Sequence, residues 1–196
     1  RLLLVDDHGL PHAFAAGGRE EMRLNITTGG DWLPRAYRLA VLNAEGTKIA
    51  VVASFGQAVQ IYDLQRTGGV MRAAQHQSDV TALAFSPATN LLASASRDGR
   101  VIVWDVQANR PVATLQAHVG AATSVSFTRD GHRLATAGDD GRVRIWEPAL
   151  GQEIYELTPF GAGLGVTAVQ FSPAPDDGRL AAAHGTEVRV CGPTLP

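Results

Sequence analysis

The sequence predicts an all-β protein, a β-propeller built from four-stranded antiparallel blades. Three observations predict it. The stretches SASRDGRVIVWD (94–105) and TAGDDGRVRIWE (136–147) repeat one pattern of residue kinds, and Trp104 and Trp146 stand 42 residues apart. Around them, short runs of alternating apolar and small residues are separated by Gly, Pro, Asp or Asn, the signature of strands and turns. No stretch carries a helical period. Four strands per ~40–45 residues make the blade of a propeller.

The elements follow in order. RLLLVD (1–6), HAFAAGG (12–18) and MRLNIT (22–27), with a strand near Trp32–Arg35, form a degraded blade over 1–36. A blade over 37–75 contains LNAEGTKIAVVAS (42–54) and AVQIYD (58–63). In the blade over 76–117, VTALAF and LLASAS are the first two strands. RDGR then turns the chain, because Asp-Gly tolerates the positive φ of a tight hairpin. VIVWDV and PVATLQA (111–117) complete the blade. ATSVSFTR (122–129) and FTRDGHRLATAG (127–138) repeat the design over 118–158. VTAVQFSP (166–173), FSPAPDDGRLAAA (171–183) and EVRVCG (187–192) form an incomplete blade over 159–196. Tyr62, Trp104, Trp146 and Cys191 share one slot, at steps of 42, 42 and 45 residues. PFGAGLG (159–165) and SPAPDDG (172–178) absorb the longer step. The count is nineteen strands, about 4.75 blades, in a single region over 1–196. Such an arc leaves open blade edges, an aggregation hazard. The native polypeptide is therefore expected to be longer at both ends, an expectation to which Arg1 in place of an initiating Met adds.

Composition narrows the function. The chain is 45% apolar and 18% charged, with a net charge of −2. That balance disfavours a nucleic-acid or anionic-membrane surface, which needs a basic excess. No apolar run approaches the ~18 residues of a membrane span, and RLLLV is too short for a signal-peptide core. The single cysteine, Cys191, forms no internal disulfide, which permits a reducing, cytoplasmic setting. Of 17 basic residues only Lys48 is lysine, a bias associated with GC-rich, bacterial genomes.

At the repeated residues the sequence resembles the WD-repeat propeller family, most clearly over about 76–147 and more weakly over 37–192. The family motif places a His between blades, a Ser or Thr on the second strand, an Asp in the following turn and a Trp on the third strand. The resemblance assigns these positions to His76, Ser94, Asp98 and Trp104, and in the next blade to His118, Thr136, Asp140 and Trp146. His to Asp is 22 residues in both, and Asp to Trp is 6. The physical reason is satisfaction of buried polar groups. An indole N–H donates to a hydroxyl, the hydroxyl is held by the imidazole, and the imidazole donates to the carboxylate. Ser, His and Asp are also the parts of a hydrolytic triad. Here, however, the set occurs twice in register and its hydroxyl is turned to an indole, so it is read as structural. The outer blades depart from the motif, with Pro34, Val52 and Gly56 in one and Phe160, Ala181 and Gly185 in the other. They are expected to be held by apolar packing and ladder hydrogen bonds alone, and to be less stable.

The resemblance further implies that the loops of the narrower face bind partners. The turn-tip positions there are Phe55, Arg97, Asp139 and His184, with Asp79 and Ala121 nearby. Other features read as ordinary structure. His8 and His12 have the spacing of a helical metal pair, but Gly9 and Pro11 make HGLPH a turn. GAGLG (161–165) lacks phosphate-loop spacing and is read as an inter-blade loop. Asp176-Asp177-Gly178 is a turn without a calcium ligand ladder. Asn25 heads a glycosylation sequon of little weight without a secretory signal. Cys191 is expected to be a buried, inert thiol. Arg142 and Arg144 share one strand face and are expected to be solvated or ion-paired. The expected function is a non-catalytic docking scaffold for proteins or peptide segments, part of a larger bacterial signalling or regulatory protein. No metal, cofactor or small-molecule substrate is expected. The alternatives are an enzyme with its active site at the central opening and a purely structural array.

Overall fold

The computed structural model describes residues 2–5, 11–14, 20–23, 37–53, 56–65, 70–161, 163–174 and 178–192. Eighteen strands lie among them, and no helix. Three form the first sheet: β1 (Leu2–Val5), β2 (Pro11–Phe14) and β3 (Glu20–Arg23). Three sheets have four strands each. They are β4 (Tyr37–Leu42), β5 (Lys48–Ala53), β6 (Ala58–Asp63) and β7 (Val70–Gln75); β8 (Val80–Phe85), β9 (Leu91–Ser96), β10 (Arg100–Asp105) and β11 (Arg110–Gln116); and β12 (Ala122–Phe127), β13 (Leu134–Gly138), β14 (Val143–Glu147) and β15 (Gln152–Leu157). The last sheet holds β16 (Ala168–Phe171), β17 (Leu180–His184) and β18 (Glu187–Cys191). Every sheet is an antiparallel meander in chain order. The strand expected near Trp32–Arg35 lies outside the described residues.

The sheets stand side by side as blades. Their first strands are neighbours in the order β1, β4, β8, β12, β16. One face of each blade packs on the next. On β5 and β6 the residues Ala50, Val52, Val59 and Ile61 are fully buried. Ala93, Ala95, Val101 and Val103 repeat this set one blade on, and Ala135, Ala137, Val143 and Ile145 repeat it again, all at 0% exposure. Each quartet meets an apolar set on the following blade. The first meets Val80, Leu83 and Leu92. The second meets Val125, Phe127, Leu134 and Trp146. The third meets Val166, Val169, Phe171 and Leu180. Cross-strand pairing identifies a fourth quartet in the last blade: Ala181 with Val190, and Ala183 with Val188. Its two valines are each 65% exposed.

A second device links the blades. The first strands carry a bulge at Arg38, Thr81 and Thr123, where the pairing register slips by one residue. A bulge re-aims its side chain out of the pleat. Each of these three side chains donates to a carbonyl that leads into the next blade: Arg38 to Val80 O, Thr81 to Ala122 O at 2.5 Å and Thr123 to Val166 O at 2.5 Å. In the last blade Thr167 holds the corresponding place and donates instead to Ala183 O of its own sheet, at 3.0 Å.

Pairing also corrects two sequence positions. Ser94 faces Ile102 and Thr136 faces Arg144. The equivalents in the outer blades are Val51, facing Gln60, and Ala182, facing Arg189, rather than Val52 and Ala181. Turns of different length displace the count by one. Neither residue carries a hydroxyl. Cys191 is half-buried rather than buried.

Candidate docking face and the network beneath it

In the blade over 118–158 the polar chain is complete. Trp146 Nε1 donates to Thr136 Oγ1 at 3.0 Å. His118 Nε2 lies 2.9 Å from the same hydroxyl, and His118 Nδ1 lies 2.9 Å from Asp140 Oδ1. Asp140 accepts, so Nδ1 carries the proton and Nε2 accepts from Thr136. Burial holds the imidazole below its ordinary pKa, partly offset by Asp140, so the ring is neutral. Burial alone would raise the Asp140 carboxyl, but the hydrogen bond from His118, together with those from Arg144 and the Val119 amide, brings it below its ordinary value. Arg144 Nη1 reaches Asp140 Oδ2 at 3.1 Å and Ala117 O at 2.6 Å. Its guanidinium also pairs with Glu153 and Glu156, while Arg142 pairs with Glu156. The carboxylate further pins the turn and the inter-blade loop through Arg142 N and Val119 N.

The blade over 76–117 has the same residues but not the same connections. His76 Nε2 lies 2.8 Å from Ser94 Oγ. His76 Nδ1 stands 3.5 Å from Asp98 and makes no hydrogen bond among the described residues, and neither does the buried Trp104 Nε1. The expected chain through Trp104 is thus broken, and Ser94 Oγ donates to Ile102 O instead. A side chain accounts for the longer His–Asp distance. A Cβ placed on Gly138 would lie 2.4 Å from the His118 ring. Ser96, in the same position one blade earlier, has that Cβ. Ile102 also replaces Arg144 as the cross-strand neighbour, so no guanidinium comes to Asp98 from that position. Asp98 still binds Gln77 N and Arg100 N, at 2.8 and 2.9 Å.

In the last blade another pair fills the place of the network. Phe160 stands where His118 does and is buried. Arg189, equivalent to Arg144, sits 5.3 Å over the Phe160 ring and donates to Pro159 O at 2.7 Å. Apolar packing is therefore not the only cross-tie in that blade, contrary to the sequence expectation.

Above this framework lies the loop face. Arg97 N is held by Asp79 O at 2.9 Å and Asp139 N by Ala121 O at 3.0 Å. His184 reaches Gly165 O through Nδ1 at 2.6 Å and stacks at a tilt on Phe160, with centroids 5.7 Å apart. The turn tips are thus fixed in backbone. The side chains of Asp79, Arg97 and Asp139 make no hydrogen bond or ion pair among the described residues, and Arg97 and Asp139 are exposed. Phe55 lies outside the described residues. Two residues of this face were not singled out in the sequence: Val119, 82% exposed, and Leu164, 45% exposed. An apolar residue directly after the inter-blade His, followed by Gly120, was the signal for Val119. Among the described residues no group of three His, Cys, Asp or Glu could hold a metal ion. No helix there is long and apolar enough to cross a membrane.

The family model for the WD domain, G-beta repeat, matches residues 70–105 and 109–147. Two consecutive stretches of the chain are thus similar to WD repeats. A chain in a crystal structure of the mitotic checkpoint complex is 28% identical, with a TM-score of 0.66 over 78% of this chain and 45% of that one. The WD40 repeats of RRP9 give 22% identity and a TM-score of 0.69 over 83% of this chain and 49% of theirs. The chain thus spans about half the length of those two. The computationally designed Ika4 protein gives 24% identity and a TM-score of 0.68 over 85% of this chain and 95% of Ika4. No curated protein matches the sequence. WD-repeat propellers generally mediate protein–protein interactions.

Proposed function

We propose that this chain is a non-catalytic docking module that holds other polypeptides on its loop face, within a larger signalling or regulatory protein of a bacterial cytoplasm. One observation carries the docking reading. Arg97 and Asp139 occupy the same turn position in adjacent blades, with opposite charge, pinned backbones and no side-chain partner among the described residues. Positions that are rigid in backbone and free in side chain suit recognition, because little order is lost on binding. The chain from the mitotic checkpoint complex belongs to an assembly, which supports the same reading. Two further features support the larger protein: the exposed fourth quartet, and the half-length match to the first two relatives. The test is co-purification from the native cell with the chain tagged, beside a double variant, Arg97→Ala with Asp139→Ala. The expected result is loss of a stoichiometric partner with an unchanged melting temperature. Unchanged capture would leave the chain a structural spacer.

A further inference from the structure

Asp139 is not an isolated exposed acid. Its neighbour Asp140 is bound to His118, Arg144 and two backbone amides, whereas the Asp139 carboxylate has no partner among the described residues. Two inter-blade loops close on it from either side. Gly120, at φ +90°, would bring a Cβ to 3.4 Å from Asp139 Cβ, and a Cβ on Gly165 would lie 3.2 Å from Asp139 Cα. Gly120 holds a φ that L side chains rarely adopt, and a Cβ on Gly165 would crowd the Asp139 backbone. The residues beside those glycines are Val119 and Leu164, two of the six large apolar side chains exposed among the described residues. Scattered exposed aliphatics need no explanation. A free carboxylate with an exposed aliphatic on each flank, on a fixed backbone, does.

We propose that this triplet is a subsite for one arginine side chain of a partner polypeptide, its guanidinium on Asp139 and its aliphatic stem against Val119 and Leu164. The proposal rests on the docking reading and names the partner chemistry at one point of that face. A lone carboxylate matches the planar fork of a guanidinium in two parallel hydrogen bonds. Arginine also leaves water at smaller cost than an ammonium, which suits an apolar rim.

The probe is the peptide Ac-GARAG-NH2, with counterparts carrying lysine or the neutral isostere citrulline in place of arginine. Each is titrated into the ¹⁵N-labelled chain and followed by amide shifts. The expected result is saturable shifts at Val119, Gly120, Asp139 and Leu164. Asp139→Asn should weaken them about tenfold, as should citrulline, and lysine should bind more weakly than arginine. No saturable shift at these amides, an undiminished response in Asp139→Asn, or an equal response to lysine would overturn the subsite. Failure here is separable from failure of the docking reading: partner capture lost in Arg97→Ala but intact in Asp139→Asn would retain docking and remove this subsite.

Discussion

Trp146 and Trp104 occupy one slot but differ in one hydrogen bond and in burial, Trp146 being buried and Trp104 half-buried. Replacing either by Phe removes the indole N–H, and both differences act in the same direction. Trp146→Phe should destabilise more than Trp104→Phe by about 1 kcal/mol, because only Trp146 has an acceptor to lose. Equal urea midpoints for the two variants would contradict that. The imidazoles add a pH dependence. Burial lowers the pKa of both His76 and His118 in the folded chain. Below about pH 6.5 the unfolded chain takes up protons that the folded chain refuses. Stability is therefore full above that pH and falls as the pH drops through it. A lower urea midpoint at pH 5.5 than at pH 7.5 is expected, and no change would count against neutral, buried imidazoles. At this scale the residue types of the network were legible, since two offsets recur together. Their connections were not. Whether His reaches Asp turns on a Cβ at Ser96 and its absence at Gly138, positions two residues from the motif that carry no motif signal of their own.

Among elements, the two central blades differ from their neighbours in polar cross-ties more than in apolar contact. The blade over 118–158 has the complete chain, the blade over 76–117 has half of it, and the blade over 37–75 has Val51 where the hydroxyl would be. Native-state hydrogen exchange should protect amides in 80–147 best. Faster exchange there than in 37–65 would contradict the role given to the network. The strands themselves were readable from alternation, because a half-buried strand must alternate. The bulges at Arg38, Thr81 and Thr123 were not. A bulge changes the pairing partner without changing the apolar pattern, and register is a property of two strands rather than one. For the same reason the hydroxyl slot was misplaced by one residue in both outer blades, where only the turn length differs.

For the whole molecule the decisive surface is the last blade's quartet. Three equivalent surfaces are covered completely by the blade that follows, and the fourth shows Val188 and Val190 to solvent. If a further blade follows in the native polypeptide, a thiol at position 188 will be shielded there. Val188→Cys in a Cys191→Ser background should react with a maleimide about tenfold more slowly in the polypeptide from the complete gene than in the 196-residue chain. Val119→Cys should react quickly in both. Equal rates at 188 would show that nothing covers the face.

The quartets also set a geometric quantity. Their second-strand members are mostly alanine: Ala50, Ala93, Ala95, Ala135 and Ala137. Their third-strand members, one strand farther from the contiguous first strands, are Val59, Ile61, Val101, Val103, Val143 and Ile145. Spacing between blades therefore widens outward, and each blade is a wedge whose taper is written in side-chain volume. The taper fixes the angle through which one blade turns from the next, and that angle fixes how many wedges complete a circle. Exchanging small and large members of a quartet would alter the circumference of the ring before it altered any single blade.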